Sequence, residues 1–436
     1  MKNNPIYKFE HESLFVGEES FNENHFNLLE KYLDRQKEKK SYLFETTCSH
    51  KRKGIKFNSY VGVITVKDLT IYVLPKADKE KEENENAELW RNRLTFMLSQ
   101  VYKLNVQTTA PSNLKWRPNV LLNIFLRKFL DEVAVLLNRG LIKTYRKTDG
   151  NRTALKGKLL FNKQIAYNCV HQERFYVRYT TYDYNHILNR IIRQALLAVC
   201  DITNSSDIKG RATFTLFNFP ELEEIAVTPE LFSSLIFDRK SEDYRNVIKL
   251  AEMILLNYSP DLHHGSNHVW TLMFDMNKLW EEFVFLTLKR KLTGYEVTAQ
   301  SRKVLWNSDK NAKNIKADIV IHGQENNQGN TFVLDTKWKM PRYDGKIVPS
   351  DSDLHQMYVY LNKYKADKVA LLYPGEESSE VKGWFVDDSG NNDKSCDMLF
   401  LPCKSFDNTT RYSVKECREW QYNIVNSVKD WLNSKV

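Results

Sequence analysis

The chain is poor in residues that break or loosen structure, with 15 Gly and 11 Pro among 436 positions. That excludes collagen-like and elastic repeats and long flexible linkers. Its six cysteines (Cys48, Cys169, Cys200, Cys396, Cys403, Cys417) are scattered and never form C-x-x-C. Such spacing fits reduced thiols in a cytoplasm better than a disulfide framework or a zinc site. No apolar run approaches the ~18–20 residues of a membrane span, and the opening stretch from Met1 to His11 lacks the apolar core of a secretory signal. G-x-S-x-G and H-E-x-x-H are absent. The nearest approach to a phosphate-binding loop, Gly150 to Gly157-Lys158, has the wrong spacing and continues with Leu159, so nucleotide hydrolysis through a P-loop is excluded. No repeat at solenoid periods is visible. The expectation is a soluble, cytoplasmic protein.

What is present is a globular composition: 42% hydrophobic, 27% charged and 12% aromatic residues. The length exceeds the ~250–300 residues at which a single core stops growing, so two or three domains are expected. The net charge of +9 is uneven. Residues 101–211 carry 19 Lys/Arg against 7 Asp/Glu, whereas residues 266–436 carry 24 against 23. A basic middle suits an acidic partner, nucleic acid or protein, although a solvated helical face has the same composition.

Periodicity divides the chain in three. Tyr60–Val66 and Leu69–Lys76, with Asp68 at the turn, are β-branched and alternating, which predicts a hairpin in a β-rich N-terminal domain over residues 1–86. A polar helix is predicted from Asn22 to Lys40, and Lys79 to Asn86 reads as a solvated connector. Helical spacing then dominates in Leu89–Leu104, Asn119–Leu141, Tyr184–Cys200 and Tyr244–Leu256. Residues 87–265 therefore read as a mainly helical, basic region suited to docking a partner. The loop around Ser259-Pro260-Asp261 and His263-His264-Gly265 marks the next boundary. Beyond it, a helix (Met273–Lys291), three strands, a helix (Asp353–Tyr364) and the strand Lys368–Pro374 predict an α/β domain over residues 266–436.

Chemistry concentrates in that last domain. Asp318 and Asp335 each border a short apolar run typical of a buried strand, and Lys337 lies two residues beyond Asp335, on the same strand face. Paired strands would bring two carboxylates and an ammonium together. Two carboxylates supply half of a Mg²⁺ site, with water and substrate phosphate completing it and the carbonyl of Thr336 a further candidate ligand. The lysine would position the attacking water or neutralise developing charge. Glu281 or its neighbour Glu282, on the preceding helix, is a candidate third carboxylate. Gln356 and Tyr360, four apart on the following helix, are candidate supports. Asp-x₁₆-Asp-x-Lys alone occurs by chance, often as a surface salt bridge. With its apolar runs and Gln-x-x-x-Tyr helix it fits a PD-(D/E)XK nuclease site. His263, His264 and His268 fall in a Gly/Ser/Asn-rich loop and read as surface histidines. Trp270, Trp280, Trp338 and Trp384 read as core.

The chain resembles the McrC family, the nuclease subunits of McrBC-type restriction systems directed at 5-methylcytosine. The resemblance spans about residues 60–375. It rests on Tyr60-Val61-Gly62-Val63-Ile64 with the hairpin end Leu74-Pro75-Lys76, on Arg139-Gly140-Leu141, on Leu155-Lys156-Gly157-Lys158, and on Asp183 with Asn189-Arg190-Ile191-Ile192. It continues through Met276-Asn277 to Glu281, Asp318, Asp335-x-Lys337 and Gln356-x-x-x-Tyr360. Ala317 stands where the motif's name has proline, and lysines replace the family's arginines near 155–158. The resemblance implies a C-terminal restriction-endonuclease-like domain and Mg²⁺-dependent cleavage of modified double-stranded DNA. It also implies docking on, and stimulation of, a hexameric AAA+ GTPase of McrB type, which selects the target. Two other classes remain open: a regulator of such a ring that cuts nothing, and a free-standing repair nuclease.

Overall fold

The structure is a computed structural model that describes residues 5–35, 42–49, 51–76, 87–103, 120–203, 205–256, 258–259, 269–308, 311–324, 329–343, 346–386, 390–403 and 414–434. The connector at 79–86 and His263, His264 and His268 lie outside them. The chain is a mixed α/β protein forming two compact units, residues 1–113 with 273–436, and residues 114–272. This differs from the division expected at 86 and 265. The N-terminal strands do not stand as a body of their own; they share a unit with the C-terminal domain.

In the first segment, β1 (Ile6–Phe9), β6 (Leu69–Leu74) and β5 (Tyr60–Val66) form one sheet, with β1 parallel to β6. The β5/β6 hairpin lies where alternation places it, and its six β6 residues are all buried. β2 (Ser13–Phe15), β4 (Arg52–Phe57) and β3 (Phe44–Ser49) form a second small sheet, packed by α1 (Glu23–Arg35). α2 (Ala87–Val101) follows.

The second unit is built around α3 (Val120–Arg139), α5 (Ile187–Ile202), α6 (Ser206–Phe217) and α8 (Arg245–Leu256), with the short α7 (Pro229–Ser233). α5 packs on α6 and α8, and α3 packs on the same two helices. The buried face of α5, including Leu188, Ile191, Ile192, Ala195, Leu196 and Val199, is the stripe its sequence spacing defines. Asn189, also on that face, donates to the Ile142 and Tyr184 carbonyls and accepts from the Tyr244 hydroxyl. A mainly helical reading omits one element here. β7 (Thr144–Arg152), β8 (Lys158–Leu159) and β9 (Phe175–Asp183) form a three-stranded sheet, with α4 (Phe161–Asn168) against β9. β10 (Tyr258–Ser259) pairs with β11 (Val269–Asp275).

The larger unit then resumes. The helix expected from Met273 starts at Met276, because β11 runs through Asp275; the Asp275 carboxylate caps α9 (Met276–Lys291) by accepting from the Asn277 and Lys278 amides. The main sheet takes the order β12 (Tyr295–Asn307), β13 (Ala312–Gly323), β14 (Thr331–Thr336), β17 (Lys368–Gly375), β20 (Asn392–Pro402) and β18 (Ser379–Val381), with β19 (Trp384–Val386) also on β20. β15 (Arg342–Tyr343) and β16 (Lys346–Ile347) form a separate hairpin. β14, β17 and β20 are parallel, the arrangement that needs a crossover helix, and α10 (Asp351–Tyr364) supplies one between β14 and β17. α11 (Val414–Asn433) packs on β20 and α9. Trp280, Trp338, Phe283 and Trp420 fill the core beside α9, with ring centroids 4.8–6.2 Å apart. Trp270 is also buried, whereas Trp384 is exposed on its edge strand.

Candidate active site

The site sits at the C-terminal end of β14. The β13/β14 register pairs Ile319 with Leu334; continued by one step it sets Asp318 opposite Asp335, where antiparallel partners project from the same face. Asp318 is fixed from the next residue of β14: the Thr336 amide and hydroxyl both donate to its Oδ2, at 2.9 and 3.0 Å. Asp335 is only 1% exposed. Its Oδ2 is 2.6 Å from Lys337 Nζ, and its Oδ1 accepts from Gln356 Nε2 at 3.1 Å. Gln356 also accepts from Lys337 Nζ at 3.1 Å and donates to the Tyr360 hydroxyl at 2.6 Å. The Tyr360 hydroxyl in turn donates to the Lys316 carbonyl at 2.5 Å. The i, i+4 spacing on α10 thus braces both Asp335 and Lys337.

Charge in this pocket is strained by burial. Desolvation, followed by the facing Asp318, pushes the Asp335 carboxyl up to about 7, in spite of the attraction of Lys337. Burial works against the Lys337 ammonium, but Asp335, Asp353 and Asp318 outweigh it and hold its pKa above the ordinary lysine value. Glu281 on α9 is also raised, first by burial and then by Asp318. Glu281 Oε1 accepts a hydrogen bond from Gln300 at 3.1 Å, whereas the charge of its neighbour Glu282 acts on Tyr102 and on Glu281 itself.

A model of the family described as "McrBC 5-methylcytosine restriction system component" matches residues 55–374, a span containing every residue just described. The chain belongs to this family. It is 22% identical over 289 residues to the type IV methyl-directed restriction enzyme EcoKMcrBC of Escherichia coli (strain K12), covering 62% of this chain and 81% of that protein. Its fold is similar to a chain from the assembly of Thermococcus gammatolerans McrB AAA+ hexamers with bound McrC, with TM-score 0.60, 19% identity, and 98% of this chain and 100% of that one covered. A chain of the Thermococcus gammatolerans McrBC complex gives TM-score 0.45 at 21% identity, over 66% of this chain and 88% of that one.

In this McrBC-family chain, three site neighbours escape sequence reasoning. Asp353, 5% exposed at the start of α10, lies 2.6 Å from Lys339 and 3.7 Å from Lys337. Burial favours its neutral form, yet hydrogen bonds from Lys339 and Ser350 keep its pKa below the usual range. Gln300 stands across from Asp318 in the β12/β13 register, with a left-handed φ of 52° inside a strand, and donates to Glu281 at 3.1 Å. Glu10, 1% exposed, accepts from the Trp338 indole and the Lys76 amide, both at 2.9 Å, beside the residue that follows Lys337. Only the tertiary fold brings Glu10 and Gln300 to this place. Asp353 was within reach of sequence reasoning as an acidic residue three positions before Gln356.

Proposed function

We propose that the chain is the cleaving, McrC-type subunit of a modification-dependent restriction complex: a Mg²⁺-dependent DNA endonuclease of PD-(D/E)XK type, docked on a McrB-like AAA+ GTPase ring whose activity it stimulates. The observation that carries this reading is the buried Asp335 carboxylate facing Asp318 with the Lys337 ammonium 2.6 Å away. A structural ion pair would gain nothing from a second carboxylate; burying a charge beside a like charge costs free energy unless the site exists to use it.

The donor set fits a divalent cation. Asp318 and Asp335 offer hard oxygens whose mutual repulsion a cation relieves, and the Thr336 carbonyl is the third candidate ligand. Among the described residues no group of three or more His, Cys, Asp or Glu side chains converges as a closed cage. The remaining positions would therefore fall to water and a DNA phosphate. Bound Mg²⁺ would lower the pKa of water and offset charge developing on the phosphorus. The chain's own side chains do the rest. Thr336 fixes Asp318, and Gln356 holds Asp335 and Lys337 in one geometry. Lys337 presents a proton donor to the attacking water, and Glu281 adds negative charge next to Asp318.

A domain of nearly balanced charge binds DNA weakly by itself, which supports work in a complex. The similarity in fold to a chain from an assembly of McrB hexamers with bound McrC supports the ring as partner. The test is cleavage of methylated and unmethylated plasmid by the chain, with and without its AAA+ partner, GTP and Mg²⁺. Cleavage is expected only in the full mixture, and Lys337→Ala is expected to abolish it while still co-eluting with the ring. Unchanged cleavage by Lys337→Ala would overturn the assignment of the site.

A further inference from the structure

β12 and β13 run on past the sheet as a two-stranded arm, residues 301–308 with 311–317, and we propose that this arm is the element with which the nuclease holds duplex DNA, lying along the groove beside the Asp318/Asp335 site. The inference rests on the endonuclease reading.

The arm's composition departs from its domain. Residues 301–308 and 311–317 carry four Lys/Arg and no Asp or Glu, while the rest of 266–436 carries 20 basic against 23 acidic residues. The basic residues of an otherwise slightly acidic domain are thus gathered on this pair of strands, two on β12 and two on β13, the strand that bears Asp318. Three apolar residues of its outer strand are also in the wrong place for a core. Val304, Leu305 and Trp306 are 53%, 42% and 54% exposed, and every described residue from Arg302 to Asn314 is exposed. An exposed edge strand with apolar side chains is an aggregation hazard unless something covers it.

The base of the arm is anchored, so its direction is set. The Tyr364 hydroxyl donates to the Ser301 carbonyl at 2.5 Å, the Tyr360 hydroxyl donates to the Lys316 carbonyl, and Lys303 Nζ donates to the Lys363 carbonyl at 3.1 Å. Ile315 and Ala317 are buried in the core under α10. The opposite face of the ribbon carries Arg302 and Lys316, directly paired, with Val304 and Asn314 next along. Lys316 and Asp318 are two residues apart on β13 and so share a face, which places this face on the side of the candidate site. A register shift between Val304 and Trp306 marks a bulge, a device that re-aims side chains, ahead of the Trp306/Lys313 pair.

Duplex DNA is the partner this fits. The major groove admits a two-stranded β-ribbon. The arm's six-residue outer strand spans about 20 Å, roughly half a helical turn of duplex. Arg302 and Lys316 would meet phosphates on the face toward the site; Lys313 and its partner Trp306, which strand alternation places on the other face, would add a charge and an apolar contact farther along the duplex.

The experiment uses the complete complex carrying Lys337→Ala, so that DNA is bound and not cut. Binding of a fluorescent duplex is measured against salt concentration, for the parent and for Arg302→Gln/Lys313→Gln/Lys316→Gln and Trp306→Ala. Each lost phosphate contact should weaken binding by about fivefold at physiological salt and reduce the slope of log K against log[salt] by about 0.9. The charge-conserving Lys313→Arg/Lys316→Arg form should bind like the parent, which separates lost charge from lost folding. Parent-like affinity and slope in the triple variant would overturn the role of the arm, even where Lys337-dependent cleavage stands. Normal DNA binding with loss of self-association, read by sedimentation, would overturn it in favour of a contact between two copies. Cleavage that persists in Lys337→Ala would instead mark failure of the endonuclease reading.

Discussion

Asp335 should make the protein less stable than it could be, and Asp335→Asn measures by how much. In the cation-free protein the Asp335 carboxyl titrates near 7, against about 3.9 for an aspartate in an unfolded chain. Below pH 4 both states hold the proton and the residue costs nothing. Between pH 4 and 7 the unfolded chain releases its proton and the native chain does not, so stability falls as pH rises. Above 7 the native carboxylate is charged as well, and the cost levels at about three pKa intervals of 1.36 kcal/mol, or about 4 kcal/mol. Asn keeps the shape and lacks the charge. Part of the gain is lost because Lys337 gives up its 2.6 Å partner and keeps Gln356 and the more distant Asp353. A net stabilisation of about 1–3 kcal/mol is expected at pH 8 in EDTA, shrinking toward pH 5. Thermal unfolding followed by circular dichroism across this range is the assay. If the two carboxylates hold a cation as proposed, excess Mg²⁺ should raise the melting temperature of the parent and not of the variant, since a ligand bound only by the native state stabilises it. A variant less stable than its parent at pH 8 in EDTA, or a difference that does not vary with pH, would refute the reasoning.

Three further outcomes follow from other parts of the structure. Apparent Mg²⁺ affinity, read by thermal shift, should fall about tenfold per pH unit below 7 and stay flat above it, because one proton on Asp335 must leave. Glu10→Ala should destabilise the larger unit by about 1–3 kcal/mol by orphaning the Trp338 indole and the Lys76 amide, and Glu10→Gln, which keeps an acceptor oxygen, should cost less; denaturant midpoints distinguish them. Gly157→Ala should disrupt the β8/β9 edge, since its φ is +80° and an added Cβ would lie 2.3 Å from the Arg178 carbonyl; proteolysis confined to residues 144–183 is the readout.

The cluster of Asp318, Asp335, Lys337, Gln356 and Tyr360 was legible because each residue declares itself locally. Two short apolar runs mark buried strands, and an i, i+4 pair marks one helix face. The β5/β6 hairpin and the helices α5, α8, α9 and α10 were legible for the same reason. What escaped was either polar or distant. β7, with the sequence Thr-Tyr-Arg-Lys-Thr-Asp-Gly-Asn-Arg, has no apolar alternation, and it pairs with β9 across a side-chain lattice of its own. Asp149, for one, meets Arg178 at 2.7 Å. Gln300 takes its meaning from a left-handed backbone that no composition announces. The union of residues 1–113 with 273–436 depends on contacts more than 150 residues apart, such as α2 on α9, beyond the reach of any periodicity.

That union sets a limit on how the molecule can be dissected. Expressing residues 273–436 alone as a portable cutting module would leave the main sheet and all five motif residues, yet strip one wall from around them. Trp338 would lose the carboxylate that holds its indole and the Trp90 ring that meets it edge-on, and the flank of α9 covered by α2 would face water. A truncated module without activity would therefore say little about Lys337. Grafts and chimeras of this site need both ends of the chain.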